Sequence, residues 1–219
     1  ENRFHIVLRN LTGESEYLKK LVVQRCQMIA EQGVPNYFGE QRFGHQLGNL
    51  VSAAEMFTDK SLRLPRNRKS IYLSAARSWI FNNILSQRVE QGLWNQRMAG
   101  DVFMLKGKTA CFWDDGSSDL EERLKIGEIH PTAVLWGEGP LLSKRWVAEQ
   151  EMRIVDANPV FRDGLNNFKV QKMRRSMRVI PSEMVWELHR DELTLAFNLP
   201  SGSYATMVLR ELGKITAKY

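Results

Sequence analysis

Cysteine is scarce in this sequence of 219 residues, which contains only Cys26 and Cys111. The two lie far apart, and neither belongs to a CxxC or Cys/His spacing, so the sequence indicates neither a disulfide framework nor a zinc site. The four histidines are scattered as well, without the spacing of metal ligands. We therefore expect no bound metal and a reducing compartment such as the cytoplasm.

Long apolar runs are also absent, since no stretch of about 18 uninterrupted apolar residues occurs. The opening residues, Glu1-Asn2-Arg3, are polar and lack the apolar core of a signal peptide. These absences predict a soluble, unexported protein with no membrane partner. The chain opens without a methionine and enters a strand-like pattern at once, so we expect a further segment to precede it.

The chain does contain enough apolar material for a folded core, at 43% of its residues. Lys and Arg outnumber Asp and Glu by 31 to 25, which gives a formal net charge of +6. Basic surfaces attract polyphosphates at long range, so this excess favours an anionic partner.

The spacing of apolar residues predicts a mixture of strands and helices. A polar, basic stretch over 59–69 is a candidate domain boundary, and Ser118-Asp119-Leu120-Glu121 predicts a capping box at the start of a helix. Gly33 is suited to the left-handed turn that ends a helix. The predicted elements are strands over 4–8, 102–105, 109–113, 184–186 and 193–199, helices over 18–29, 46–57, 71–89 and 143–155, and a turn at Arg190-Asp191-Glu192.

The segment over 35–44, PNYFGEQRFG, holds three aromatics, two glycines and an arginine in ten positions. Aromatic faces can stack on bases, an asparagine amide can pair with a base edge, and glycine lets the backbone approach a ligand closely. The alternative is that Tyr37, Phe38 and Phe43 fill a core while the glycines shape a turn. The chemistry of the segment alone leaves both interpretations open.

Three motifs, in this order along the chain, resemble the TruD family of tRNA pseudouridine synthases. They are NYFGEQRFG over 36–44, SAARSWIFN over 74–82, and LPSGSYAT over 199–206 followed by REL over 210–212. The resemblance implies an α+β fold, in which a pseudouridine-synthase catalytic domain with an antiparallel sheet and helices is interrupted by the family's α/β insertion domain. We expect catalytic-domain residues over 1–61 and 179–219 and the insertion domain over 62–178.

The resemblance also implies an activity. The family isomerises uridine to pseudouridine in tRNA, at position thirteen, by breaking the bond between ribose C1′ and uracil N1 and rejoining the base through C5. No cofactor or metal is needed, and tRNA is the expected partner. We expect the protein to be a monomer.

The resemblance identifies three substrate-binding candidates, Asn36, Phe38 and Tyr204. Asn36 matches the asparagine that contacts the target nucleotide, and Phe38 lies in the same active-site loop. Tyr204 stands where the family usually has a phenylalanine against the uracil, and a tyrosine keeps the stacking face while adding a hydroxyl. An ordinary buried tyrosine is the alternative. The residues expected to shape the loop are Gly39, Gln41, Arg42 and Gly44.

The family's nucleophilic aspartate has no match in this chain. It belongs to a Gly-Gln-Lys-Asp-like motif that we expect upstream of Glu1, so this chain alone should bind RNA without catalysing. The alternative to a synthase is a non-catalytic RNA-binding module. Carboxylates on turns are usually solvated or capping, which leaves no credible substitute among Asp101, Asp114, Asp115, Asp119, Asp163 and Asp191.

Two clusters of basic residues flank the expected crossings between the domains. A tRNA bound between the domains would need positive charge there to neutralise phosphates without reading sequence. A solvated basic face is the alternative. The candidates for contact with the RNA backbone are Arg63, Arg66, Arg68, Lys69, Lys172, Arg174 and Arg175, with Lys169 and Arg178 in the same clusters.

Overall fold

The computed structural model describes residues 1–11 and 16–215. The strands in these ranges are β1 (Asn2–Leu8), β2 (Val34–Pro35), β3 (Val102–Leu105), β4 (Cys111–Trp113), β5 (Ile129–Leu135), β6 (Met173–Ser176), β7 (Arg178–Val179), β8 (Ser182–His189) and β9 (Glu192–Leu199). The helices are α1 (Glu16–Gln32), α2 (Gly48–Thr58), α3 (Arg66–Glu90), α4 (Leu120–Lys125), α5 (Arg145–Asp156), α6 (Pro159–Asn167) and α7 (Ala205–Leu212). Short 3₁₀ turns occur at Glu40–Arg42 and His45–Leu47.

The chain divides into two compact units, named here unit 1 (Glu1–Asn36 and Arg178–Tyr219) and unit 2 (Tyr37–Met177). The second crossing lies one residue from the expected boundary after 178, whereas the first lies well before the expected boundary after 61. The reason is that α2 packs on α3 and α6, so that Ala53 is buried in the main core of unit 2. The assignment of 62–178 to the family's insertion domain stays a prediction.

Unit 1 contains a three-stranded antiparallel sheet in the order β1-β9-β8. Alternation along β9 turns every second side chain into the core, which also receives residues of α1 and α7. Phe4 of β1 lies opposite Phe197 of β9, and their ring centroids are 5.5 Å apart. The predicted first and last strands and the turn at Arg190-Asp191 are confirmed. The inward residues of β9 are Leu193, Leu195, Phe197 and Leu199.

A short second pairing, between β2 and β7, follows the end of α1. Gly33 has φ +77°, and a Cβ atom there would lie 2.4 Å from the carbonyl oxygen of Val179. Glycine alone therefore allows both the left-handed turn and the close approach of β7. The predicted helix stop at Gly33 is confirmed. The turn at Gly33 sets the direction of β2, which leads from the end of α1 to Asn36.

Unit 2 contains a four-stranded antiparallel sheet in the order β4-β3-β5-β6. The long helix α3 packs against β5, α2, α5 and α6. Ile80 and Phe81 of α3 and Ala133 and Val134 of β5 form part of its main core. A smaller core lies beneath α4, around Phe103. The mixed α and β architecture inferred from the sequence is confirmed.

The predicted helix starts differ from the structure by a few residues, at α3, α2 and α4 among others. Helix α3 begins at Arg66 rather than at 71, because Pro65 before it has the fixed φ that suits a helix start and the basic residues that follow are good helix formers. Helix α2 begins at Gly48 rather than at 46, since Gln46 and Leu47 have positive φ. Helix α4 begins after Asp119, without the side-chain hydrogen bond of the predicted capping box.

In the described part of the chain, none of the helices combines the length and apolar character that crossing a membrane requires. Within residues 1–11 and 16–215, no cluster of three or more His, Cys, Asp or Glu side chains is arranged to hold a metal ion.

Candidate functional site

Asn36 follows β2 at the end of unit 1's first segment. Its side chain is buried, with 6% of its surface exposed, which is unusual for an amide and requires hydrogen-bond partners. The Oδ1 atom of Asn36 accepts a hydrogen bond from the hydroxyl of Ser203 at 3.2 Å. Helix α7 also packs against β2. The first and third motifs, separated by most of the chain, therefore meet inside unit 1.

Tyr204 directly follows Ser203 and occupies the N-cap position of α7. Its backbone is extended, and its side chain makes no capping hydrogen bond to the helix. The turn before it is closed by a hydrogen bond from the backbone N–H of Ser203 to the carbonyl of Pro200, at 3.1 Å, and Gly202 has φ +85°. Tyr204 is half-buried. The structure thus brings two of the three predicted nucleotide-binding residues, Asn36 and Tyr204, into one part of unit 1.

Phe38, the third candidate, belongs to unit 2 and is half-buried. Its ring meets Phe81 edge to face, with centroids 5.5 Å apart. The guanidinium carbon of Arg175 lies 4.0 Å from the centroid of Phe38, and that of Arg42 lies 5.4 Å from it. Such cation–π contacts attract a guanidinium to an aromatic face. The ring is therefore held among side chains of unit 2.

Two of the residues that were expected to shape the loop are Arg42 and Gly44. The guanidinium of Arg42 donates to the hydroxyl of Ser74 at 3.0 Å, while its carbonyl accepts from the side chain of Asn49 at 3.2 Å. Gly44 has φ +75°, which favours glycine. Phe43 is buried and meets Trp79 edge to face, so for this aromatic the core-filling interpretation holds.

One of the predicted backbone-binding cations is buried and unsuited to that role. Arg174 on β6 is 8% exposed and forms a 2.6 Å ion pair with Glu151, and it also donates to the hydroxyl and carbonyl of Thr132. The prediction of a phosphate contact for Arg174 is corrected accordingly. Since alternate strand residues face opposite sides, its neighbour Arg175 instead lies against Phe38.

The other predicted cations are more accessible. Arg63, Arg66 and Arg68 are exposed and Lys69 is partly exposed, at the first turn of α3 and the chain before it. Lys172 packs its ammonium 4.0 Å from the centroid of Trp136 and donates to the carbonyl of Gly139. The two clusters thus differ, because the first is largely exposed, while in the second Lys172 and Arg175 lie against aromatic rings.

The aspartates that the sequence analysis set aside have structural roles. Asp101 is buried and pairs with Arg88, whose guanidinium lies 3.0 Å away, and Asp114 pairs with Arg97 at 2.6 Å. Burial raises the pKa of Asp101 to about 6, and the hydrogen bond from Arg97 lowers the pKa of Asp114. Asp163 pairs with Arg162 on the surface.

Two residues near the motifs have surroundings that the sequence analysis did not predict: Arg178, which it grouped with the basic clusters, and Asn82, which it did not single out. Arg178 pairs with Pro35 across β2 and β7, is buried, and has a pKa lowered to about 10 by that burial. Asn82 contacts the backbone of Phe38 through both ends of its side-chain amide. The only sequence signal for Asn82 is its place at the end of the second motif, and a position on a helix does not reveal which side chain reaches a distant loop.

Comparison with known proteins identifies the family. The sequence model of "tRNA pseudouridine synthase D (TruD)" matches residues 1–57 and 46–212. The tRNA pseudouridine synthase D of Hydrogenovibrio crunogenus is 45% identical over 215 residues, covering 98% of this chain and 61% of the relative. That of Methylococcus capsulatus is 42% identical, covering 96% of this chain and 59% of the relative. The chain therefore spans about three fifths of the length of these relatives.

The fold agrees with a solved structure. The crystal structure of a Methanosarcina mazei protein assigned as tRNA pseudouridine synthase D (TruD) superposes with a TM-score of 0.76, covering 97% of this chain and 68% of that one. At 22% identity this likeness speaks for the fold alone. The match of the family model and the identity to the two relatives go further, and they show that this chain belongs to the TruD family of tRNA pseudouridine synthases.

Proposed function

We propose that this chain is part of an enzyme that isomerises uridine to pseudouridine in tRNA, at the family's target position thirteen. The observation that supports this most is the hydrogen bond between Asn36 and Ser203, which joins the first and third motifs across 167 positions of sequence. This contact brings together residues of two of the motifs on which the family resemblance rests. Asn36, Phe38 and Tyr204 are the proposed contacts to the target nucleotide.

The chemistry of these side chains suits a uracil. An asparagine amide carries a donor and an acceptor, which match the alternating carbonyl and N–H groups on the edge of uracil. The tyrosine ring offers a stacking face that every base accepts. Stacking does not depend on which edge of the base points toward the ribose, so it suits a uracil that turns after its N1 bond is broken and before its C5 bond is formed. Tyr204 is half-buried, so part of its surface remains accessible to a ligand.

We propose that the nucleophilic aspartate comes from sequence outside these 219 residues. In the described ranges, the ion pairs of Asp101, Asp114 and Asp163 account for three carboxylates, and Asp191 lies in the hairpin turn between β8 and β9. The chain alone would then bind tRNA and release no product.

For the backbone of that tRNA we propose six contacts: Arg63, Arg66, Arg68, Lys69, Lys172 and Arg175.

The experiment that tests this proposal is tritium release from tRNA labelled at C5 of uridine, because rejoining the base through C5 displaces that hydrogen. The full-length gene product and this chain would be assayed side by side, with the intact mass of each preparation measured. We expect release from the full-length protein and none from the chain. Binding of tRNA without release by the full-length protein would favour a non-catalytic RNA-binding module instead.

Two variants of the full-length protein test the site residues. We expect Asn36→Ala and Tyr204→Ala to lower turnover by about 100-fold, since they contact the reacting nucleotide. The affinity for tRNA should change by less than about threefold, because phosphate contacts supply most of it. Tyr17→Ala is a matched control, since Tyr17 lies in the same unit and is 72% exposed. Normal turnover by both site variants would refute the assignment.

A further inference from the structure

The second motif, over 74–82, has no task in the function proposed above. It forms part of α3, and its side chains meet the loop that carries the first motif, within unit 2. Ser74 accepts a hydrogen bond from Arg42, Trp79 meets Phe43 edge to face, and Phe81 meets Phe38 edge to face. The helix therefore supplies the surface on which that loop lies.

Asn82, the last residue of the motif, makes the most specific of these contacts. Its Oδ1 atom accepts the backbone N–H of Phe38 at 2.9 Å, and its Nδ2 atom donates to the carbonyl of Phe38 at 3.0 Å. Two hydrogen bonds from one planar amide restrain the orientation of the backbone more tightly than a single bond does. Both ends of the Asn82 amide are thus matched to a single residue of the loop.

The ring of Phe38 is held from other directions at the same time. Phe81 lies at its edge, and the guanidinium carbon of Arg175 lies 4.0 Å from its centroid. These two contacts involve the ring of Phe38, whereas the hydrogen bonds of Asn82 are made to its backbone N–H and carbonyl. A group that reacts with or binds a nucleotide must be held to within a fraction of an ångström, which makes such a restraint functionally important.

We propose that Asn82 is a positioning residue for the isomerisation, which acts by holding the backbone of Phe38 in the orientation that the target nucleotide requires. This inference rests on the proposed function, because it assigns Asn82 to the same site. Asn82 reaches that site through Phe38 and makes no contact with the substrate itself.

The first test is Asn82→Ala in the full-length protein. We expect kcat to fall about 10- to 100-fold, with the affinity for tRNA changed by less than about threefold. The neighbouring Asn83 is a matched control, because among the described residues its side-chain amide bonds to the carbonyl of Trp79 on its own helix, at 2.9 Å, and not to the loop. Asn83→Ala should therefore turn over tRNA at the wild-type rate.

A second variant, Asn82→Asp, separates positioning from the filling of space. The ionised carboxylate still accepts the N–H of Phe38 but opposes its carbonyl, while the protonated acid can donate to that carbonyl. Turnover relative to the wild-type protein at the same pH should therefore be low at neutral pH and rise as the pH falls. A residue that only filled space would give a constant ratio. This variant also carries the test if Asn82→Ala fails to fold.

The double variant Phe38→Ala with Asn82→Ala completes the test. If Asn82 acts through Phe38, its removal lowers turnover little further once the phenylalanine ring is gone. These tests require that the wild-type protein releases tritium. The inference would then be overturned by fully additive losses in the double variant, by wild-type turnover of Asn82→Ala, or by a pH-independent turnover ratio for Asn82→Asp. A wild-type protein that releases none would instead refute the proposed function itself.

Discussion

The two units bury polar side chains for different purposes. In unit 2, the buried charges come as matched pairs, Arg88 with Asp101 and Arg174 with Glu151. Among the described residues of unit 1, the buried polar side chains are those of Asn36, which follows β2, and of Arg178, which belongs to β7. Unit 2 therefore buries its charges as ion pairs, whereas unit 1 buries polar side chains at the β2 and β7 pairing that precedes the first motif.

This difference bears on how a site is recognised. Buried ion pairs are candidates for catalytic groups, because titratable residues at functional sites are often buried beside a charged partner. In unit 2, however, the side chain of Glu151 accepts hydrogen bonds from the backbone N–H of Val134, from the hydroxyl of Ser143 and from Arg174. With its acceptors occupied in this way, Glu151 is structural, and burial of charge alone does not identify the site.

The largest expected effect comes from breaking this buried pair. Glu151→Gln leaves the charge of Arg174 buried without its counter-ion, and we expect the free energy of unfolding to fall by about 3 to 5 kcal/mol in urea denaturation. The control is Glu192→Gln in unit 1, which removes an exposed pair with Arg9 and should cost less than about 1 kcal/mol. Equal losses from the two variants would contradict the contrast between the units.

A second comparison uses the glycines that end a helix in each unit. Gly33 after α1 and Gly92 after α3 have φ of +77° and +70°, but only Gly33 has a backbone atom within reach of an added Cβ. We expect Gly92→Ala to cost about 1 to 2 kcal/mol for the left-handed backbone, and Gly33→Ala roughly 3 kcal/mol in total because of the overlap with Val179. Thermal or urea unfolding measures both.

Loss of turnover would accompany Gly33→Ala, because the residue sets the path of β2 toward Asn36. Gly92→Ala should leave turnover unchanged. If both alanines cost the same in stability, the close approach of β7 to Gly33 would not constrain the chain.

Much of the fold follows from the sequence for physical reasons. Alternation along β9 and helical spacing along α1 predict the elements that the structure contains, and Gly33 predicts the end of α1. Helix starts were predicted less well, since the first turn of a helix carries few apolar residues, as at Arg66. Boundaries depend on local dihedral angles and caps, which the spacing of apolar residues does not encode.

The site was harder to predict from sequence, because neighbours of the same type occupy opposite environments. Arg174 is buried against Glu151, while Arg175 lies over Phe38. Asn82 holds the backbone of Phe38, while Asn83 bonds to its own helix. A shift of one residue changes which face a side chain occupies, so that only the three-dimensional structure distinguishes the members of each pair.

A third prediction concerns the basic residues at the start of α3. We expect the pair Arg66→Glu and Arg68→Glu to weaken tRNA binding by about tenfold and to reduce the slope of log affinity against log salt by roughly 2, because two phosphate contacts are lost. Lys125→Glu is the control, since Lys125 is exposed at the end of α4 in the same unit. Filter binding over a range of salt concentrations measures both slopes, and an unchanged slope would remove these arginines from the RNA interface.

The smallest expected effect is the pH dependence of stability that Asp101 contributes. Burial raises its pKa from 3.8 to about 6, so the folded protein holds a proton that the unfolded chain has already lost. Its contribution to stability is therefore fully present below the unfolded pKa and is lost as the pH rises through about 6. Between about pH 7 and about pH 5, the wild-type protein should gain roughly 1 kcal/mol relative to Asp101→Asn, measured by urea unfolding.

Asp114 provides the opposite case for that last experiment. The hydrogen bond from Arg97 lowers its pKa, so its contribution is present above the unfolded pKa and is lost only as the pH falls through the lowered value. Over the same range near neutrality, Asp114→Asn should therefore leave the pH dependence of unfolding parallel to that of the wild-type protein. If Asp101→Asn ran parallel as well, Arg88 would stabilise the carboxylate enough to offset its burial, and unit 2 would hold that ion pair charged throughout this range.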